Sequence, residues 1–319
     1  MRGEDCVAHP TRRHFLGFAS LALPTLLGGC GAGGMVGRLT ASWFDDLEPG
    51  GDGYALYRVR RGDTLIDLAP RYRIGYVELA AANPGVDPWQ PAPGTKLAIP
   101  TTRLAPRGQR KGLVVNLADL RLYHFPGGAP EGHYPIGIGR DGHPTPLGTT
   151  RVVRKAVAPT WYPPPEVRAE KPYLPAMVLP GPDNPLGGHA LYLGWPTYLI
   201  HGTNLPGSVG RHASNGCLRL YEEHIAALHA TVPVGTPVRV VHEPIKMAME
   251  DGDLWLEAHP SLAQADELEE RYAFTPEVPA GIMKRIAREA GPAAGRIDRE
   301  LIKRLVHERR GCATRVTIA

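Results

Sequence analysis

The run IHGTNLPGSVGRHASNGCLRL, from Ile200 to Leu220, sets one cysteine, Cys217, among small and polar neighbours, with Ile200-His201-Gly202 ahead of it and His201 16 positions upstream. A nucleophilic thiol needs a base to take its proton, amides to hold an oxyanion, and neighbours small enough to admit substrate. His201 is the candidate base and Cys217 the candidate nucleophile, which predicts a thiolate–imidazolium pair at neutral pH. The amides of Gly216 and Cys217 are the natural oxyanion donors, because glycine lets the backbone come close. Asn215 either adds a side-chain amide or is a turn residue stabilised by its own side chain. Arg219, on a predicted strand, either pairs with a substrate carboxylate or holds a loop carbonyl or an acid of the fold. Ser214 joins it as a candidate substrate-binding residue. No recognised ligand spacing is present, so neither metal nor cofactor is expected, and His212 reads as a polar loop histidine. Tyr192 and Trp195 read as packing residues.

Around this run the chain predicts a mainly β domain. Leu113 to Val115 and Leu120 to Tyr123 form a hairpin, and further strands follow at Tyr134 to Ile138, Arg151 to Val157, Ala190 to Leu193, Tyr198 to Ile200 and Val238 to Val241. The one helix expected beside them is Glu222 to Thr231, with Ile225 and Leu228 on one face. Thr145-Pro146-Leu147-Gly148 reads as a tight turn. Between Ala158 and Gly188 stand nine prolines, a density that predicts an ordered loop over the site without regular structure.

Taken together, His201 and Ser214-Asn215-Gly216-Cys217-Leu218-Arg219 resemble the signature of the YkuD family of L,D-transpeptidases, in which a His precedes Ser/Thr-His-Gly-Cys by some fifteen residues. Asn215 stands where many members carry His. Gly137-Ile138-Gly139 with Thr145 to Thr149 resembles a Gly-x-x-x-x-Thr-Pro-x-Gly segment of the family, and Trp161-Tyr162-Pro163-Pro164 and Gly181 to Gly187 resemble its enterobacterial-type subgroup. The resemblance implies a YkuD-like β-sandwich with one flanking helix and a role for the Gly202 carbonyl in fixing the His201 tautomer. It also implies attack on the third residue of a peptidoglycan stem, release of D-alanine and transfer of the acyl group to an amine. That amine belongs to a second stem, giving a 3–3 crosslink, or to the terminal lysine of an outer-membrane lipoprotein acceptor. Water in its place makes a carboxypeptidase or amidase. Papain-like NlpC/P60 wall hydrolases place Cys before His, whereas His201 comes first; His224, His229, His242 and His259 lack its Gly-rich, apolar setting.

Upstream, Tyr57 to Leu65 with Gly62-Asp63-Thr64, two short helical runs ending at Asn83-Pro84, and Pro93-Gly94-Thr95-Lys96-Leu97-Ala98-Ile99-Pro100 read as strand, helix, helix, strand. This resembles a LysM module, which implies binding to N-acetylglucosamine-containing glycan; the alternative for the module is a βααβ spacer that no longer binds. The alternative for the whole chain is a non-catalytic wall-binding lipoprotein that uses only this module, against which intact His201 and Cys217 argue. With the module the fold class is α+β overall.

Thr11-Arg12-Arg13-His14-Phe15-Leu16 and the apolar run from Gly17 to Gly29 have the layout of an export signal, too short to span a bilayer stably. The paired arginines resemble a twin-arginine signal, and Leu27-Gly28-Gly29-Cys30 resembles a lipobox. The expected segments are a signal at 1–29, a lipid-anchored tether at 30–53, the module at 54–102, a polar linker at 103–112, the catalytic domain at 113–243 and a hairpin with a basic helical tail at 244–319. Lipid on Cys30, followed by Gly31, implies the periplasmic face of the outer membrane, with the membrane itself as a partner.

The 319 residues, 43% apolar and 21% charged, suit a folded protein, and 33 prolines with 38 glycines suit strands and turns. A net charge of +4 points to no nucleic-acid partner. Four cysteines without paired spacing exclude a disulfide framework or a zinc ribbon. In the tail, Ile297, Leu301 and Leu305 predict a helix with a basic face.

Overall fold

The computed structural model describes residues 35–36, 45–51 and 53–318; the segment expected to be an export signal and the expected lipidation position Cys30 lie outside the described residues. A short strand β1 (Met35–Val36) pairs with β5 (Arg103–Leu104). The expected βααβ order follows as β3 (Tyr54–Arg58), α1 (Leu65–Arg71), α2 (Tyr76–Ala82) and β4 (Lys96–Pro100). Thr64 caps α1 by accepting the Asp67 N–H at 3.1 Å, and the helix buries Leu65, Leu68 and Ala69. Asn83 ends α2 and stitches it to β4, donating to Ala98 O at 2.8 Å and accepting the Ala98 N–H at 2.7 Å. The Asn83-Pro84 pair is thus a structural joint.

The expected tether is ordered at its end. Strand β2 (Leu47–Pro49) pairs with β3, and Asp46 accepts the Tyr72 hydroxyl at 3.1 Å and a bond from Arg71. The expected linker also differs: residues 102–106 are buried, and Arg103 is 1% exposed. Both Arg103 and Arg121 reach the buried carboxylate of Glu78 on α2, the latter at 2.5 Å. Burial and the neighbouring Arg121 charge pull Arg103 down to about 10.

In the catalytic domain the strands are β6 (Gly112–Asn116), β7 (Arg121–Phe125), β8 (Gly132–Pro135), β9 (Ile138–Gly139), β10 (Gly148–Val157), β11 (His189–Leu193), β12 (Leu199–His201), β13 (His212–Ser214), β14 (Leu218–Arg219) and β15 (Pro237–Val241). Eight of them form one sheet in the order β14-β12-β11-β10-β15-β6-β7-β8, and β13 pairs with β9. Strand β10 is the corner: residues 148–151 pair with β15, whereas Val152 to Val157 pair with β11, with a register shift between Val152 and Arg154. The expected mainly β domain is therefore one sheet folded at a shared strand.

Two helices, not one, accompany it. Helix α4 (Glu222–Thr231) packs on β11 as expected. Helix α3 (Pro165–Glu170) interrupts the proline-rich segment. Proline in a first turn forfeits only an N–H that has no intrahelical partner, so Pro165 starts a helix where density alone suggested none.

The module sits directly on this domain. Gly75 and Gly210 touch closely enough that a Cβ on Gly75 would lie 2.8 Å from Gly210 Cα. Val77 N–H donates to Gly210 O at 3.2 Å, Tyr221 OH donates to Ile74 O at 3.0 Å, and the Arg211 guanidinium lies 3.7 Å from the Tyr76 ring centre. Leu79 and Leu97 of the module share one buried cluster with Leu122, Ile200 and Leu218 of the sheet.

After β15 comes the expected hairpin, β16 (Ile245–Glu250) and β17 (Asp253–Ala258), whose turn residues Asp251 and Gly252 take φ of 50° and 82°. Helices α5 (Leu262–Arg271), α6 (Ile282–Ala290) and α7 (Arg299–Glu308) precede a last strand β18 (Thr314–Arg315). In α7 the fully buried residues are Ile302 and Val306, one position past the expected Leu301 and Leu305, which are partly buried. Lys246 on β16 is wholly buried; its ammonium lies 2.7 Å from Asp119 Oδ2, 2.9 Å from Glu257 Oε1 and 2.7 Å from Leu104 O. Asp119, Glu257 and His259 converge there, and a side-chain cation fills the middle.

Candidate active site

Strands β12 and β14 run parallel, with Ile200 opposite Leu218 and His201 opposite Arg219. Alternation along a strand puts residues 217 and 219 on one face, and the pairing puts 199 and 201 on that same face. Leu199, His201, Cys217 and Arg219 all line one cavity of about 820 Å³. The structure therefore brings the expected base, nucleophile and arginine to one hollow. His201 is 4% exposed, and its Nδ1 donates to Gly202 O at 2.6 Å, which leaves Nε2 as the free acceptor of the neutral ring.

The nucleophile loop is tied by hydroxyls. Ser214 Oγ donates to Cys217 O at 2.6 Å and accepts the Gly216 N–H at 3.1 Å. Ser214, expected to contact substrate, lines the cavity and also clamps this loop, and the Gly216 amide, one of the two expected oxyanion donors, is engaged by the Ser214 hydroxyl. Gly216 itself has φ 99°, and a Cβ there would lie 2.7 Å from the Tyr198 ring, so glycine is required. Thr145 Oγ1 donates to Gly216 O at 2.9 Å and accepts the Gly139 N–H at 3.0 Å. The Thr-Pro-x-Gly turn thus braces the nucleophile loop from behind.

Burial sets the protonation states. It lowers His201 to about 4, helped by the nearby Arg219 charge and opposed by the backbone acceptors at Gly202 and Leu186. Burial also raises the Cys217 thiol above its ordinary value, against smaller lowering effects from the Leu199 amide and Arg219. Both directions run against the expected thiolate–imidazolium pair and favour a neutral thiol and a neutral imidazole at rest. The thiol points to Thr197 O at 3.4 Å, and Thr197 carries φ 71°, a left-handed conformation that a β-branched residue adopts only when its surroundings impose it. Arg219 is lowered by burial, and its Nε has no partner among the described residues.

The cavity wall comes from the proline-rich segment. Trp161, Tyr162 and Val167 line it, and Trp161 exchanges backbone hydrogen bonds with Val178 at 2.8 and 2.9 Å. Glu170 at the end of α3 accepts from Arg140 at 2.6 Å and meets His143 at 2.8 Å; Arg140 also donates to Asn215 Oδ1 at 3.1 Å. Asn215 is therefore the link between nucleophile loop and lid, with its amide NH₂ left as donor. Tyr192, expected to pack, lines the cavity with Arg154 stacked 3.4 Å from its ring centre, whereas Trp195 packs on the core as expected. His212 contacts Asp266 of α5 at 2.8 Å and takes no part in the cavity. Sequence reading missed Arg140, Arg154 and the bracing role of Thr145. Only the last carried a signal, the turn motif itself.

Comparison with known proteins agrees with this geometry. The LysM domain matches residues 57–100, and the YkuD L,D-transpeptidase catalytic domain matches residues 110–240. The chain is 43% identical to the probable L,D-transpeptidase ErfK/SrfK of Escherichia coli over 63% of its own length and 66% of that relative's. It is 43% identical to the probable L,D-transpeptidase YbiS of Escherichia coli over 62% of its own length and 67% of that relative's. The putative L,D-transpeptidase YkuD of Bacillus licheniformis is 30% identical over 58% of this chain and 98% of its own. The chain spans about two thirds of the length of the two enterobacterial relatives. With the His201, Cys217 and Arg219 face in place, these likenesses show that the chain belongs to the YkuD family of L,D-transpeptidases and carries a LysM domain.

Proposed function

We propose that this protein is a peptidoglycan L,D-transpeptidase that works through a Cys217 acyl-enzyme. His201 Nε2 takes the thiol proton as sulfur attacks the carbonyl of the third stem residue, the Cys217 N–H steadies the oxyanion, and the amide bond to D-alanine breaks as His201 returns the proton to the leaving amine. An acceptor amine then attacks the thioester, gives its proton to His201, and frees the thiol. The neutral resting dyad suits this sequence, since the proton moves only when substrate fills the cavity and the charge it creates has a partner.

The observation that carries this reading is the shared face of β12 and β14, with Nδ1 of His201 committed to Gly202 O and Nε2 left open. The exposed loops of the LysM domain would hold glycan while the cavity takes the stem. The acceptor is a second stem or the lysine of an outer-membrane lipoprotein. Export and lipid anchoring at Cys30 remain part of this proposal on the pattern of the first thirty residues.

Incubation with a purified disaccharide-tetrapeptide, followed by mass analysis, should give crosslinked dimers with loss of D-alanine, and Cys217→Ala should give none. Tripeptide alone would mark a carboxypeptidase, and dimers made by the Cys217→Ala protein would overturn the assigned nucleophile.

A further inference from the structure

Glu222 opens helix α4, and its carboxylate leaves the helix to bind two loops. Oε1 accepts the Thr203 N–H at 2.7 Å and Oε2 accepts the Gly188 N–H at 2.9 Å. The Thr203 N–H belongs to the same peptide unit as Gly202 C=O, the group that accepts His201 Nδ1–H at 2.6 Å. One amide plane therefore stands between a carboxylate and the imidazole. We infer that Glu222 is a positioning residue for the proposed dyad: through the Gly202–Thr203 peptide it does what a directly bonded carboxylate does in a Ser-His-Asp triad, orienting the ring and steadying the imidazolium that forms during proton transfer.

Three features support this. A carboxylate accepting the N–H of an amide polarises that amide and makes its carbonyl a stronger acceptor, because hydrogen bonds in a chain reinforce one another. Gly187 and Gly202 both lie so close to Glu222 Oε1 that a Cβ on either would collide with it. The glycines on both loops therefore make room for this carboxylate. Its second bond, at Gly188, anchors the segment that carries Leu186, which lines the same cavity as His201. A first-turn acid also favours the helix dipole, but that role needs no bond to either loop. The Glu222 side chain reaches solvent, so its charge is screened at distance and acts through these two bonds.

This inference rests on the Cys217–His201 reading, and the test separates the two. The full chain and its Glu222→Gln, Glu222→Asp and His201→Ala variants are acylated with a carbapenem across pH 5 to 10, following the Cys217 adduct by intact mass. Alongside, ¹⁵N spectra of histidine-labelled protein report the His201 tautomer, and thermal unfolding reports stability. Glu222→Gln is expected to slow acylation roughly fivefold or more, to shift the midpoint of its pH dependence and to mix the His201 tautomers, with the unfolding temperature nearly unchanged. Glu222→Asp, which keeps the charge, should recover part of the rate; if the glutamine variant fails to fold, the aspartate variant decides by the same readouts. Wild-type rates, pH midpoint and tautomer in the folded variant would overturn the inference. If His201→Ala acylates like wild type, the dyad itself is wrong; if it is inactive while Glu222→Gln matches wild type, only the role of Glu222 falls.

Discussion

At Cys217 the deciding quantity is burial. A thiol in water carries a small thiolate fraction at neutral pH, and an ion pair with imidazolium would raise it. Here burial moves both groups away from charge, with His201 at about 4 and the thiol raised. The sign follows directly: at pH 7 the imidazole is deprotonated and the thiol protonated, and thiolate accumulates only as pH rises through the raised thiol value. Alkylation of Cys217 by iodoacetamide is therefore expected to be slow at pH 7 and to climb only as pH rises above the ordinary thiol range. A fast plateau between pH 5 and 8 would show that the resting enzyme holds an ion pair.

At the scale of elements, the nucleophile loop is held by short polar ties. Thr145 reaches across from the turn before β10 and satisfies Gly216 O and Gly139 N–H with one hydroxyl. Replacing it by valine keeps the shape and leaves both backbone groups without their bonds, at a cost of about 1–3 kcal/mol. Thr145→Val is expected to lower the free energy of unfolding by that amount and to slow carbapenem acylation about tenfold, because the loop that carries the sulfur loosens. Unchanged acylation in a destabilised Thr145→Val protein would confine the residue to folding. The lid is tied differently, by the half-exposed Arg140–Glu170 pair, with side chains 41% exposed on both sides. Such exposed pairs are screened by solvent and contribute little to stability.

Across the molecule, the parts named from sequence as module, linker, domain and tail form a connected whole. Glu78 of the module, Arg103 of the linker and Arg121 of the sheet share one buried cluster, and Lys246 of the hairpin joins Asp119 of the sheet to Glu257. Removing one member of a buried ion group leaves charge without a partner, which costs about 3–5 kcal/mol. Lys246→Met should destabilise the full chain by that amount in urea unfolding, and a double variant with Asp119→Asn should recover part of it. Equal stability of Lys246→Met and wild type would show that the cluster is not a structural joint.

The motifs alone determined the family resemblance, the βααβ module and most strands, and they nominated His201 and Cys217, because local spacing and alternation carry that information. The role of Gly202 was legible through resemblance, since its bond to His201 spans adjacent residues. Contacts made across distance were not legible. Ser214 takes the Gly216 amide, Thr145 braces a loop 71 positions away, and Arg140 ties Asn215 to the lid; nothing local distinguishes these polar residues from solvated ones. The same holds for protonation, which desolvation decides. Residue chemistry is written in the chain, whereas burial and long-range pairing exist only once the chain has folded.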